Sequence, residues 1–209
     1  MTTIYKYLNL PKIDDTFDLS PGELLFINTA FMEIMKSNIF DKNINYNEIA
    51  LYTRHTLSEE TQNKLLKILP VELQGSIRDC GLQQLSNSKN SPEGTYMRPH
   101  IDGNKRGRHC LQYLLDTGGT DVTTTWYKEN NYSIVRPPSV TDFRDITVVK
   151  LDSLIKVEEV IFDINRWSIF RTDIIHGVEP ILTTRRAISI GFTNQELFDT
   201  LISKYGIDN

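Results

Sequence analysis

Between residues 76 and 192 the chain is divided into short apolar runs held apart by turn residues, and this pattern excludes most folds at once. The runs are 76–85, 97–102, 110–115, 122–127, 147–150, 157–162, 167–170 and 187–192, with Gly, Asn and Pro between them. Runs this short, rich in β-branched and aromatic residues, suit strands, and their regular succession predicts a sandwich or barrel of jelly-roll type. Helices are expected ahead of them. Ser20-Pro21-Gly22-Glu23 offers a cap, a first-turn proline and a capping-box glutamate. Leu24, Leu25, Ile27, Phe31, Ile34 and Met35 follow at helical spacing, which predicts a helix to about Lys36. Ser58 opens a second helix, with Leu65, Leu66, Ile68 and Leu69 apolar and Pro70 at its end. Residues 1–19 are expected to form a short edge strand and a loop, and 49–51 a short strand or turn. The segment 128–146, with Pro137 and Pro138, is a long connection and a candidate substrate-facing loop.

The 209 residues are therefore expected to form a single α+β, mainly β domain. A helical N-terminal support over 1–75 would carry a jelly-roll core over 76–195, with a helical tail over 196–209. Apolar residues make up 39% of the chain, enough for a sizeable core. The formal net charge of −4 leaves no electrostatic footprint for nucleic acid, so no nucleic-acid partner is expected. The one dense basic run, Lys105 to His109, reads as a solvated turn. Cys80 and Cys110 lack metal spacing and suit buried, reduced thiols. No signal pattern and no apolar stretch of membrane length is present, so a soluble, cytoplasmic protein without a membrane partner is expected.

The chemistry concentrates in three places: Arg98-Pro99-His100-Ile101-Asp102-Gly103, the stretch around His176, and the arginine pair Arg185-Arg186. Alternate residues of a strand share a face, so His100 and Asp102 should lie side by side. His-x-Asp alone is common. Joined by a distal histidine on another strand-like stretch, it becomes a donor set of two imidazoles and one carboxylate with open positions, suited to non-haem Fe(II) oxygen chemistry. His55 has no partner in sequence, and His109 falls in the basic turn. The strand 185–192 has two unlike faces. Arg185, Ala187, Ser189 and Gly191 should look into a barrel mouth, while Arg186, Ile188, Ile190 and Phe192 carry the apolar face toward the helical layer. A buried Arg185 needs an anion, and its planar fork matches a carboxylate. That carboxylate could belong to a ligand or to the chain, as Asp173 or Glu179. Arg186 is the expected surface residue.

With these residues in place, the chain resembles the 2-oxoglutarate/Fe(II)-dependent dioxygenases in the arrangement His100, Asp102, His176 and Arg185. The stretch from His176 to Ile190 is similar to that of the prolyl hydroxylase-like branch. The resemblance covers roughly residues 76–195. It implies a double-stranded β-helix in which His100, Asp102 and His176 bind Fe(II). Arg185 would hold the remote carboxylate of 2-oxoglutarate, Ser189 would assist it and Val178 would line its pocket. Tyr113 is the candidate for the tyrosine that often contacts the cosubstrate, and Gly118-Gly119 matches a common turn. Trp126 could flank the substrate opening, or be an ordinary core aromatic, and Arg98 is a further candidate substrate residue. The implied activity is hydroxylation of a C–H bond of a peptidyl or free amino acid, using O2 and releasing succinate and CO2. A small-molecule or peptide substrate would be the partner. Two readings stand beside this one: a cupin-like metalloenzyme that does not use 2-oxoglutarate, and a non-catalytic jelly-roll binding module. Arg185 discriminates against the former, which has no reason to bury an arginine beside its metal.

Overall fold

Alternation in the second part of the chain resolves into two antiparallel sheets. The computed structural model describes residues 3–27, 49–102, 109–129, 146–148, 154–192 and 194–208, with the side chains of Phe26, Arg98, Asp102, Glu129, Ile146, Thr147 and Val148 outside that description. In chain order the described strands are β1 (Tyr5–Leu8), β2 (Leu24–Ile27), β3 (Leu51–His55), β4 (Ile77–Ser86), β5 (Thr95–Asp102), β6 (His109–Thr117) and β7 (Thr123–Glu129). They continue with β8 (Ile146–Val148), β9 (Leu154–Val160), β10 (Trp167–Arg171), β11 (His176–Ile181), β12 (Thr184–Phe192) and β13 (Gly206–Ile207). The helices are α1 (Glu59–Ile68), α2 (Val71–Gln74) and α3 (Gln195–Tyr205). The larger sheet has eight strands in the order β13-β1-β10-β6-β12-β4-β3-β2, and the smaller has five in the order β8-β5-β11-β7-β9. Along the chain the strands from β4 onward pass back and forth between the sheets, so neighbours in a sheet are distant in sequence.

β12 shows how the two-faced pattern is used. It pairs with β4 on one side and β6 on the other. Its Ile188, Ile190 and Phe192 are fully buried in a cluster with Leu65 and Leu69 of the α1 end, Leu73 of α2, and Leu197, Phe198 and Leu201 of α3. The helices thus cover the outer face of the large sheet, and each fully buried large side chain contributes roughly 1.5–3 kcal/mol. α1 forms where its signals predict it. The Ser58 hydroxyl accepts from the Thr61 amide at 3.2 Å, Glu59 and Glu60 occupy the first turn, and Leu69 precedes Pro70 at the end. α3 is capped by Asn194, whose side chain accepts from the Glu196 and Leu197 amides, and beyond Tyr205 the chain adds β13 to the large sheet.

The predicted helix from Ser20 does not form over the described residues 20–27; residues 28–36 lie outside them. Leu24–Ile27 is instead an edge strand paired with β3. Two backbone bonds lock it there, Gly22 N–H to Thr56 O at 3.1 Å and Thr56 N–H to Glu23 O at 2.9 Å. Gly22 permits this closeness, since a Cβ there would meet Thr56 Oγ1 at 2.5 Å. Cross-strand pairing outweighs a helical propensity worth only tenths of a kcal/mol per residue. The N-terminal part is accordingly not a helical support alone. Its described residues also supply β1, β2 and β3 to the large sheet, β1 being the strand expected within 1–19.

The connection 130–145 lies outside the described residues, so its expected substrate-facing role does too. Cys80 and Cys110 are free thiols. No helix among the described residues is long and apolar enough to cross a membrane.

Candidate active site

Between the sheets lies a cavity of about 260 Å³. Its walls include His100, Gln112, His176, Val178, Arg185 and Ser189. The large sheet contributes through β12: Arg185, Ala187, Ser189 and Gly191 all line the cavity, the face expected from alternation. The turn at Gly118-Gly119 seats the start of that strand. Gly118 has φ +83° and its carbonyl accepts from both Leu182 and Thr183 amides, while a Cβ at 118 would press on the Arg185 Cβ at 3.0 Å.

The small sheet supplies the histidines. His100 of β5 and His176 of β11 are register partners, both buried, with ring centroids 4.5 Å apart. A bulge puts His100 there. Across from β11, His176 aligns with His100 but Val178 aligns with Met97, so β5 carries one extra residue in between. Met97 and His100 therefore both reach the cavity although their spacing would put them on opposite faces. Pro99 suits such a site because it has no amide to leave unpaired. His176 Nδ1 lies 2.9 Å from Ile174 O. A carbonyl can only accept, so Nδ1 carries a proton in this contact. Asp102 stands two residues beyond His100, paired through its backbone with Ile146. Its side chain lies outside the described residues, as does that of Arg98. Among the described residues no group of three or more His, Cys, Asp or Glu forms a cation site.

Arg185 is the unusual charge in this cavity. It is 4% exposed, and the Nη2 contacts among the described residues are long, 3.5 Å to Gln112 Oε1 and 3.4 Å to Thr124 Oγ1. Nη1 is buried with no hydrogen-bond partner among the described residues. Burial pushes the guanidinium pKa down to about 10, partly opposed by the Tyr7 phenol. The two carboxylates that could have neutralised it do not. Asp173 is taken by Arg171, whose Nε donates to Oδ1 at 2.8 Å, and Glu179 is exposed. A buried cation that no carboxylate among the described residues neutralises suits an anionic ligand. Ser189, two positions further along the same face of β12, has its hydroxyl 3.2 Å from Cys110 Sγ.

Two expected site residues lie elsewhere. Tyr113 faces away from the cavity. On β6 the residues Cys110 and Gln112 line it, so Leu111 and Tyr113 point into the opposite core, where Tyr113 packs edge-on to Trp167 and donates to Ile13 O at 3.4 Å. Gln112 is the β6 neighbour that faces the cavity, within 3.5 Å of Arg185. A lone polar residue inside the apolar run 110–115 was the signal for it. Trp126 is fully buried, stacked on Tyr5 at 5.5 Å, with its indole N–H donating to Arg171 O, so it packs as a core aromatic and is not among the described residues lining the cavity. His109 is likewise no solvated-turn residue. It opens β6, 1% exposed, with its ring 4.7 Å from that of Phe198, and burial holds its pKa below the usual value. Thr124, and the charged group Arg54, Arg78 and Asp79 that also lines the cavity, had no signal in the sequence.

No protein-family model and no curated protein matches this sequence. Similar solved structures include one described as the X-ray structure of E. coli ycfD, with TM-score 0.38 and 15% identity, covering 77% of this chain. This chain spans 39% of the length of that one. Another is a prolyl hydroxylase in complex with a hypoxia inducible factor oxygen degradation domain peptide fragment from Trichoplax adhaerens, with TM-score 0.38 and 15% identity, covering 81% of this chain and 77% of that one.

Proposed function

We propose that the protein is an Fe(II)- and 2-oxoglutarate-dependent oxygenase that hydroxylates a C–H bond of an amino acid, free or within a peptide. The observation that carries this reading is Arg185, a buried guanidinium whose Nη1 has no hydrogen-bond partner among the described residues and which shares one cavity with the adjacent imidazoles of His100 and His176. The strand order supports it as well. β4, β12, β6 and β10 are contiguous in one sheet and β5, β11, β7 and β9 in the other, as in a double-stranded β-helix.

In this reading His100, Asp102 and His176 hold the metal, and the donor set fits a non-haem iron with open positions. When bound, iron would activate O2, the oxidant, and 2-oxoglutarate would give up two electrons as it is decarboxylated to succinate and CO2. The chain's own residues bind and orient. Arg185 pairs with the remote carboxylate, Ser189 and Thr124 offer hydroxyls beside it, and Val178 walls the pocket. Ile174 O fixes the His176 tautomer. The apolar neighbours Met97, Phe170 and Ala187 keep the cavity dry, which strengthens each of these polar contacts. No side-chain acid or base is required. The test is succinate formation by anaerobically iron-loaded protein given 2-oxoglutarate and O2, beside His100→Ala and Arg185→Met. Iron-dependent succinate that both substitutions abolish is expected. Iron binding without any binding of 2-oxoglutarate would refute the reading.

A further inference from the structure

We propose that the cluster of Arg54, Asp79 and Arg78 in the same cavity binds a carboxylate of the molecule that is oxidised. The substrate would then be a free amino acid or similar small acid, or the carboxyl end of a chain, and not an interior residue of a protein. This rests on the oxygenase reading of the cavity and deepens it by naming the substrate class.

The first observation is charge. The described charged side chains around the cavity are three arginines, at 54, 78 and 185, and one carboxylate, Asp79. This positive excess sits in a chain whose formal net charge is −4. Arg185 accounts for one anion, the cosubstrate. Asp79 is shared between the other two guanidiniums: Arg54 Nη2 reaches Oδ1 at 2.7 Å, and Arg78 lies against Oδ2. One carboxylate for two cations leaves a single positive charge over, which a planar oxyanion would match.

The second observation is how the sheet makes room for the cluster. Gly81 of β4 faces Ser189 of β12, and Gly191 of β12 faces Asp79 of β4. A Cβ at Gly81 would stand 2.7 Å from His55 O and 3.1 Å from Arg54 Nε. A Cβ at Gly191 would stand 2.6 Å from Arg78 Nη2 and 2.8 Å from Asp79 Oδ1. Side chains are thus left out of both strands at the points where the guanidiniums lie over them. Arg54 is held down further by donating to Ser189 O at 3.1 Å, and its side chain is 14% exposed. A loose surface ion pair would need no such gap in the sheet.

The third observation is position. The Phe170 ring is 6.3 Å from that of His176, and Phe170 is in register with Cys110, which is in register with Gly191. The histidines therefore lie toward the Gly191 end of β12 and not the Arg185 end. A molecule anchored by its carboxylate on Arg54 and Arg78 would extend toward the imidazoles from the side opposite Arg185.

The test is calorimetric binding to the protein loaded with Mn(II) and 2-oxoglutarate. The probes are the standard amino acids and the corresponding Gly-Gly-X tripeptides, each as free acid and as C-terminal amide. At least one free acid should bind, with its amide about 10- to 100-fold weaker, the range expected for losing a hydrogen-bonded charge. Arg54→Met should bring that acid down to the affinity of its amide, and Arg54→Lys should restore part of the difference. Whether the single amino acid or the tripeptide responds identifies the source of the carboxylate. Equal binding of acid and amide, a preference that survives in Arg54→Met, or no binding of any acid while 2-oxoglutarate still binds would each overturn the proposal and leave the role of Arg185 standing. Failure of 2-oxoglutarate itself to bind would overturn the underlying reading.

Discussion

Replacing Arg185 with Met should move stability and ligand binding in opposite directions. Burial pushes the guanidinium pKa down to about 10, well below the ordinary arginine value. Each pH unit corresponds to about 1.4 kcal/mol, so holding this charge in the ligand-free cavity costs roughly 3 kcal/mol. The two long contacts to Gln112 and Thr124 return part of that, about 0.5–1.5 kcal/mol each at most. Methionine keeps the apolar stem and removes the charge, so the ligand-free variant should gain up to roughly 2 kcal/mol, in line with buried charges replaced by apolar residues. Urea unfolding measures this as a higher midpoint with an unchanged slope. The same scans with 2-oxoglutarate at about 100 times its dissociation constant should stabilise the wild type by roughly 2.7 kcal/mol and the variant hardly at all. A ligand-free variant less stable than wild type by 1 kcal/mol or more, about the size of one ordinary hydrogen bond, would refute the reasoning. Arg185 would then be a structural tie between the sheets and no ligand anchor.

Other consequences can be checked alongside. His176→Ala and His100→Ala should each weaken Mn(II) binding by at least about 100-fold, since a lost ligand exceeds the loss of an outer partner, whereas His55→Ala should leave it unchanged; titration followed by electron paramagnetic resonance decides this. His109 packs against Phe192 and Phe198, with Arg171, Asp173 and Asp199 near, and burial holds its folded pKa below 6.5. Its contribution is full above the unfolded value and is lost as pH falls below 6.5 toward the folded one, because the unfolded chain then binds the extra proton. Stability measured from pH 8 down to 5 should therefore decline, and His109→Phe should flatten that slope; an equal slope in the variant excludes His109 as the cause. Cys80, whose thiol is pushed up to about 11 by burial, should resist iodoacetamide at pH 8 in the folded protein and react on unfolding, as peptide mapping would show.

Local signals determined much of this protein. Ser58 and Pro70 bound α1, Asn194 opens α3, and the small and large residues alternating through 185–192 give β12 one face for the cavity and one for the helices. His176 and Val178 share the cavity side of β11, and Arg185 and Ser189 that of β12, because alternate residues of a strand share a face, with a period of two. That period says which residues share a face and not which face the fold encloses. Tyr113 shows the gap: its alternation with Gln112 was visible in the sequence, but only pairing of β6 with β10 and β12 turned Gln112 toward the cavity and Tyr113 toward the helices. The bulge at residues 98–99 is invisible for the same reason, since an extra residue exists only relative to the opposite strand. Gly22 and Thr56 drew Leu24–Ile27 into the sheet against a complete set of helix-start signals. Arg54, Arg78 and Asp79 carried no motif, and strands β3, β4 and β12 brought them together over two glycines. Propensity and periodicity act within a few residues along the chain, whereas register, enclosure and charge clustering arise from partners tens of residues away, and only the folded sheets supply those.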